Sequence, residues 1–266
     1  MTVAGHSLPP AFASSNRLGQ FLPVAMIVCI LALVVPLPAW VLDLAIALNI
    51  AVSTVILLTT LTIRHPLEFS VFPTLLLLTT LFRLVLNISA TRLILTESGP
   101  AGTTAAGDLI DVFGRFMADG QLAVGLILFV ILLLVQFLVV NQGAARISEV
   151  AARFALDGLP GRQAAIDADL QSGSINASQA TERRQQLSRH AEFYGAMDGA
   201  NRFLKGDAFA SLIITVINLT GGLYLAASQH GLNWQEAVET VGVLTIGDGL
   251  VINCPPFSWL LRLPSS

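Results

Sequence analysis

From Leu122 to Val140 the chain reads LAVGLILFVILLLVQFLVV, a run without one charged side chain. A helix of roughly 20 residues rising 1.5 Å each crosses the ~30 Å hydrocarbon core of a bilayer. Comparable runs stand at Phe21 to Leu37, Val41 to Ile63, Phe69 to Ile88 and Ala208 to Ser228, and Glu236 to Val251 begins another that stops short. Inside lipid the backbone must satisfy its own hydrogen bonds, which leaves helices as the economical way for such runs to cross. With 54% hydrophobic and only 12% charged residues, the chain has too little polar surface for a soluble domain. The expected fold is therefore an all-α integral membrane protein, a polytopic helix bundle with a cytoplasmic helical loop.

The division this predicts is a cytoplasmic segment 1–20, four transmembrane helices within 21–140, a cytoplasmic loop 141–206, and a fifth and incomplete sixth transmembrane helix within 207–251. Residues 252–266 form an aberrant tail. A secretory leader is the competing reading of the N-terminus, but Pro36, Pro38 and Trp40 follow the first apolar run where a small-residue cleavage site would be needed. Basic residues set the orientation, because cytoplasmic connections of inner-membrane proteins are rich in Arg and Lys. The 141–206 loop holds Arg146, Arg153, Arg183, Arg184, Arg202 and Lys205 among others, and Arg64 follows the second run. Glu97, Asp108, Asp111 and Asp119 dominate the connection before Leu122, which is placed outside with an amphipathic helix near 108–116 on the membrane surface. Its Leu109, Val112, Phe113 and Phe116 share one side.

Soluble-enzyme chemistry finds little support. The four histidines lie in separate segments, Cys29 and Cys254 lack metal-ligand neighbours, and no phosphate-binding glycine motif occurs. Asp167 and Asp169 suggest a calcium loop, but Gly173 falls one position late and Ser178 stands where a bidentate Glu belongs. No enzyme, metal or cofactor is expected, and the net charge of -3 gives no case for nucleic acid. The lipid bilayer is the evident surrounding.

The polar interval Arg146 to Asp169, RISEVAARFALDGLPGRQAAIDAD, interrupts this apolar chain. Arg146, Glu149, Arg153 and Asp157 share a helix face, and Glu149–Arg153 and Arg153–Asp157 are opposite charges at i,i+4, contributing roughly 0.2–0.5 kcal/mol each. Gly158-Leu159-Pro160-Gly161 is expected to break that helix before a short one from Arg162 to Leu170. Asn176 and Gln179 form a capping box for a third, expected to end near Gly195 and Gly199.

Three charges fall in or beside apolar runs. Arg83, near the expected far end of its run, either snorkels to the interface or is a buried cation facing a polar path. Asp207 is either an anion at a helix N-terminus or a functional carboxylate. Asp248, between Gly247 and Gly249, needs a partner or water, and an aspartate at that depth can carry a proton. A proton- or ion-coupled small-solute transporter is one alternative, though such proteins show discontinuous helices or inverted repeats and no such symmetry is visible. A short assembly or regulatory subunit is another.

The 146–169 interval resembles the signature of the bacterial type III export-gate family (FHIPEP), in the pattern R-x-x-E-V-x-A-R-F-x-L-D-x-x-P-G-R-Q-x-x-I-D-A-D. FPTLLLLTTLFRLVLN with SATRLIL (72–95), FYGAMDGANRFLKGDA (193–208) and LTIGDGL (244–250) extend the resemblance from about Pro36 to Val251. It implies an inner-membrane subunit of the flagellar or injectisome export apparatus, driven by the proton motive force. GTTAAGDLIDVFG (102–114) leans toward the flagellar form. By the same resemblance, Arg146, Arg153, Asp157, Arg202, Asp207 and Asp248, with Arg83, are the coupling or gating candidates. The partners implied are other membrane subunits of the apparatus and eight further copies in a nine-membered ring. The resemblance also implies chaperone–substrate complexes as partners, but only through a C-terminal cytoplasmic domain expected to be missing here.

The resemblance fails after Val251, where the family continues with Q-[IL]-P-A-L-L-L. One permitted codon set for Ile252 to Leu263, read two bases later, yields Gln-Leu-Pro-Ala-Leu-Leu-Leu. The expectation is a frameshifted, truncated and non-functional product whose last helix, broken by Pro255 and Pro256, seats poorly.

Overall fold

The computed structural model describes residues 27, 32, 35–62, 71–118 and 120–253. The expected first span lies mostly outside these residues, as do the 64–68 turn and the prolines at 255 and 256. All regular structure among the described residues is helical.

Helix α1 (Ala39–Thr62) follows Pro36 and Pro38, which cannot continue a helix toward the N-terminus. Its buried residues, Leu42, Ile46, Asn49, Ser53, Ile56 and Thr60, recur at alternating spacings of four and three, the stripe of a left-handed helix pair. Leu44, Leu48, Val55, Leu58 and Leu61 point outward and are more than half exposed. A soluble protein would not present such a face to water; a bilayer accepts it.

Helix α2 (Phe72–Glu97) opens with Pro73 in its first turn and runs past the expected end at Ile88. Arg83 is therefore near the middle of a 26-residue helix and cannot snorkel over one or two turns to its end. Gly102, at φ +62°, turns the chain through a 3₁₀ turn into α3 (Asp108–Ala118). The amphipathic helix is where the sequence puts it, but both faces are used. Val112, Phe113 and Phe116 are exposed, while Ile110, Gly114 and Ala118 are buried.

Helix α4 (Leu122–Leu134) continues as a π-helical segment, Val135–Asn141, directly into α5 (Gln142–Asp157). Helices α1, α2 and the long helix below are each long and apolar enough to cross a membrane, and α3 with α4, bent by 101°, together satisfy the same test.

Only Gly158 interrupts α5 before α6 (Leu159–Gln171), because Pro160 and Gly161 fit its first turn. The capping box is present: Asn176 Oδ1 accepts from Gln179 N at 2.8 Å, and Gln179 Oε1 accepts from Asn176 N at 3.0 Å. The helix it opens, α7 (Ala177–Ser228), does not end at Gly195 or Gly199. It runs 52 residues, about 78 Å, and includes the expected fifth span. Gly195 and Gly199 cost roughly 1 kcal/mol each in a helix interior, and the packing of Phe193, Met197, Ala200 and Leu204 with Phe72 and Leu76 of α2 and Ile56 of α1 offsets that.

Helix α8 (Trp234–Asn253) extends two residues beyond each end of the expected 236–251 run, though it is not among the helices long and apolar enough to cross a membrane. It has 20 residues, about 30 Å, and every residue from Val241 to Gly249 is buried. Leu244, Val251 and Ile252 join Leu42 and Ile46 of α1, Leu86, Ala90 and Ile94 of α2, and Ile110 of α3 in one core.

Candidate functional site

From Asp207 to Ala226 the buried stripe of α7 contains no large apolar residue. Asp207, Ser211, Thr215, Asn218, Gly222 and Ala226 follow one another at about a turn and are buried, while Phe209, Ile213, Val216, Ile217 and Tyr224 face outward. Within lipid, large apolar side chains gain nothing by hiding, so small and polar ones take the helix interface, where they permit close approach and hydrogen bonding.

Helix α2 meets this stripe twice. Arg83 Nη2 donates to Asp207 Oδ2, and one turn on Asn87 Nδ2 donates to Ser211 Oγ at 3.3 Å. Both pairs are separated by 124 positions in sequence, so α2 and α7 run parallel and enter the bundle from the same side. Arg83 and Asp207 side chains are 13% and 1% exposed, a desolvated ion pair. Asp207 lies inside a 52-residue helix, which removes the helix-terminus explanation for it.

Further along α7, Asn218 Nδ2 donates to Asp248 Oδ2 at 3.0 Å, with both residues fully buried. Gly222 and Val241 pack side by side beyond that, so α7 and α8 are antiparallel. From Asp207 to Asn218 is about 16 Å along the helix axis, half the thickness of a hydrocarbon core. Ser211 and Thr215 lie between.

Six buried polar atoms in this three-helix seam have no hydrogen-bond partner among the described residues: Arg83 Nε, Asn87 Oδ1, Asp207 Oδ1, Asn218 Oδ1, Thr245 Oγ1 and Asp248 Oδ1. Buried polar groups are nearly always satisfied, so such a cluster sets this seam apart from the rest of the bundle. Beside Arg83 a pocket of about 30 Å³ is lined by Gln136, Phe137, Ser211 and Leu212, roomier than the ~10–15 Å³ one water requires. Gln136 belongs to the π-helical segment, a distortion often found at functional sites.

The sequence candidates thus separate into two groups. Arg83, Asp207 and Asp248 belong to the buried seam. Arg146, Arg153, Asp157 and Arg202 are on the exposed surface of α5 and α7. Arg153 and Asp157 pair at 3.7 Å as expected, but Glu149 turns from Arg153 to Lys205 Nζ at 3.2 Å, linking α5 to α7. Arg202 pairs with Asp198 at 3.0 Å. Asp167 and Asp169 bind Arg184 and Arg183 at 2.5 and 3.0 Å, a structural role in holding α6 to α7. Asn87, Ser211, Thr215, Asn218 and Thr245 were absent from the sequence candidates. Their signal was the turn-by-turn recurrence of small polar residues inside apolar runs.

An apolar outer surface around a helix bundle, with paired and unpaired polar groups buried inside, defines an all-α membrane protein with a polar seam between its helices. The FHIPEP family model matches residues 29–258, and the chain belongs to that family. It is 48% identical over 233 residues to the flagellar biosynthesis protein FlhA of Escherichia coli K12, covering 88% of this chain and 34% of that one. The FlhA proteins of Caulobacter vibrioides and Bacillus subtilis are 49% and 46% identical over 88% and 91% of this chain. The chain spans about a third of the length of these relatives. No solved structure matches it.

Proposed function

We propose that these helices are the membrane portion of a type III flagellar protein-export gate, in which the α2–α7–α8 seam couples the proton motive force to the outward passage of unfolded protein. The observation that carries this reading is a polar stripe on α7 within an apolar envelope, with Asp207 at one end and, about 16 Å along the helix axis, Asn218 holding Asp248 of α8 at the other. A carboxylate in lipid surroundings is costly, and its retention points to a task that needs a charge able to come and go. Ser211, Thr215 and Asn218 supply donors and acceptors between the two acids, and the pocket beside Arg83 has room for water.

In this reading the N-terminus and α5–α6 are cytoplasmic, in the bacterial inner membrane, and the exposed charges Arg146, Arg153, Asp157 and Arg202 face other subunits. The protein works as a transport component rather than an enzyme, beside other export subunits and further copies of itself in a nine-membered ring. Chaperone–substrate complexes are received by a cytoplasmic domain such as the longer relatives have room for.

The test is a chimera in which residues 36–251 of this chain replace the matching part of a full-length relative, expressed in a strain lacking its own copy. Secretion of flagellar proteins is expected. A chimera that inserts normally yet secretes nothing would overturn the proposal.

A further inference from the structure

Helix α3 has no local cap. Gly107, at its N-cap position, offers no side-chain oxygen, and Ala105 and Ala106 precede it. The first amides of a helix need an acceptor from elsewhere. It comes from α1: Asp43 Oδ2 accepts from Asp108 N at 2.9 Å, and Asp43 Oδ1 accepts from Leu109 N at 3.1 Å. Gly107 has φ +103°, and a Cβ there would collide with the Asp43 carboxylate, so a glycine is required twice over.

The next residue after this pair of amides is Ile110, whose carbonyl oxygen lies so close to Gly247 that a Cβ on that glycine could not fit. One turn on, Gly114 is pressed in the same way against the carbonyl oxygen of Val243. The two contacts step four residues up α3 and four down α8, so the helices are antiparallel with backbones in direct contact. Gly247 adjoins Asp248. A continuous run of contacts therefore leads from Asp43 through Asp108 and Leu109 to Ile110, Gly247 and Asp248.

We propose that Asp43 is a positioning residue that seats α3 on α8 by capping it from another helix, and so fixes the backbone that aims Asp248 at Asn218. It deepens the function proposed above, since the importance of Asp248 for export rests on that reading, while the seating of α3 does not.

Amide exchange of the purified chain in lipid nanodiscs tests the seating without reference to export. Asp43→Ala should speed exchange across 110–118 by roughly 5- to 10-fold, the usual effect of losing a cap, with 72–97 unchanged. Asp43→Asn keeps one acceptor oxygen and should show a smaller rise. Asp108→Pro removes one capped amide at a position where proline is tolerated, and in that background Asp43→Ala should add less than it does alone. Unaltered exchange in 110–118, an equal rise in 72–97, or full additivity would overturn the proposal. Should the alanine variant fail to insert, the asparagine variant decides alone: a rise confined to 110–118 supports the cap, and none refutes it. In the chimera, Asp43→Asn should secrete more than Asp43→Ala. Equal loss in both would assign Asp43 a proton-carrying role instead.

Discussion

Arg83 and Asp207, on different helices and 124 positions apart, form an ion pair sealed between α2 and α7, and Asn87 and Ser211 repeat the same offset one turn on. That equality of spacing fixes the two helices as parallel. It also means that the charge of each is held by the other in a region where neither could exist alone.

Removing either partner is expected to strand a buried charge and destabilise the bundle by about 3–5 kcal/mol. Thermal unfolding of detergent-solubilised Arg83→Ala and Asp207→Ala should show large losses, and the exchanged pair Arg83→Asp with Asp207→Arg should recover part of them. Wild-type unfolding by either single variant would mean the pair contributes nothing.

Glycine substitutions should separate backbone contacts from side-chain ones. A Cβ at position 247 meets the Ile110 carbonyl oxygen, which cannot turn aside, whereas one at 242 meets the terminal methyls of Leu122 at 2.9 and 3.1 Å. Gly247→Ala is expected to cost about 1–3 kcal/mol through overpacking, and Gly242→Ala distinctly less because a leucine can change rotamer. The same unfolding assay gives the order; a reversed order would show that α3 and α8 are not in this register.

How far these contacts were legible in the sequence varied with their range. The second apolar run, the capping box at Asn176 and the amphipathic α3 are local patterns, and they appear where expected. The unbroken α7 was not legible, because Gly195 and Gly199 read as stops until their packing on α2 is seen. Arg83 and Asp207 were visible as misplaced charges, yet each invited a local explanation, at a helix end or an interface. Their pairing spans 124 residues, and no spacing rule reaches that far. Asp43, near the start of an apolar run, gave no hint that it caps a helix 65 positions away.

The exposed charges of α5 should behave differently from the seam. Arg153 is 82% exposed and its pairing with Asp157 at 3.7 Å contributes at most about 1 kcal/mol. In the full-length chimera, Arg153→Ala is expected to insert at near-normal levels while losing secretion, if the proposed contact of this face with other subunits holds. Near-normal secretion would reduce this segment to a spacer.

Orientation is testable at Ser188, an exposed residue of the lower half of α7. A cysteine placed there should resist an impermeant thiol reagent added outside intact cells and react once the membrane is opened. Ready labelling in intact cells would invert the topology.

Asp248 gives the most direct test of the central claim, that buried carboxyls of the α2–α7–α8 seam handle protons during export. Secretion should be measured in the full-length chimera carrying Asp248→Asn or Asp248→Glu, at matched levels in the membrane. The asparagine variant keeps the size of the side chain and an oxygen to accept from Asn218, but it cannot release a proton. The account predicts that secretion is abolished by Asp248→Asn and partly retained by Asp248→Glu; equal secretion by the asparagine variant and the unaltered chimera would contradict it.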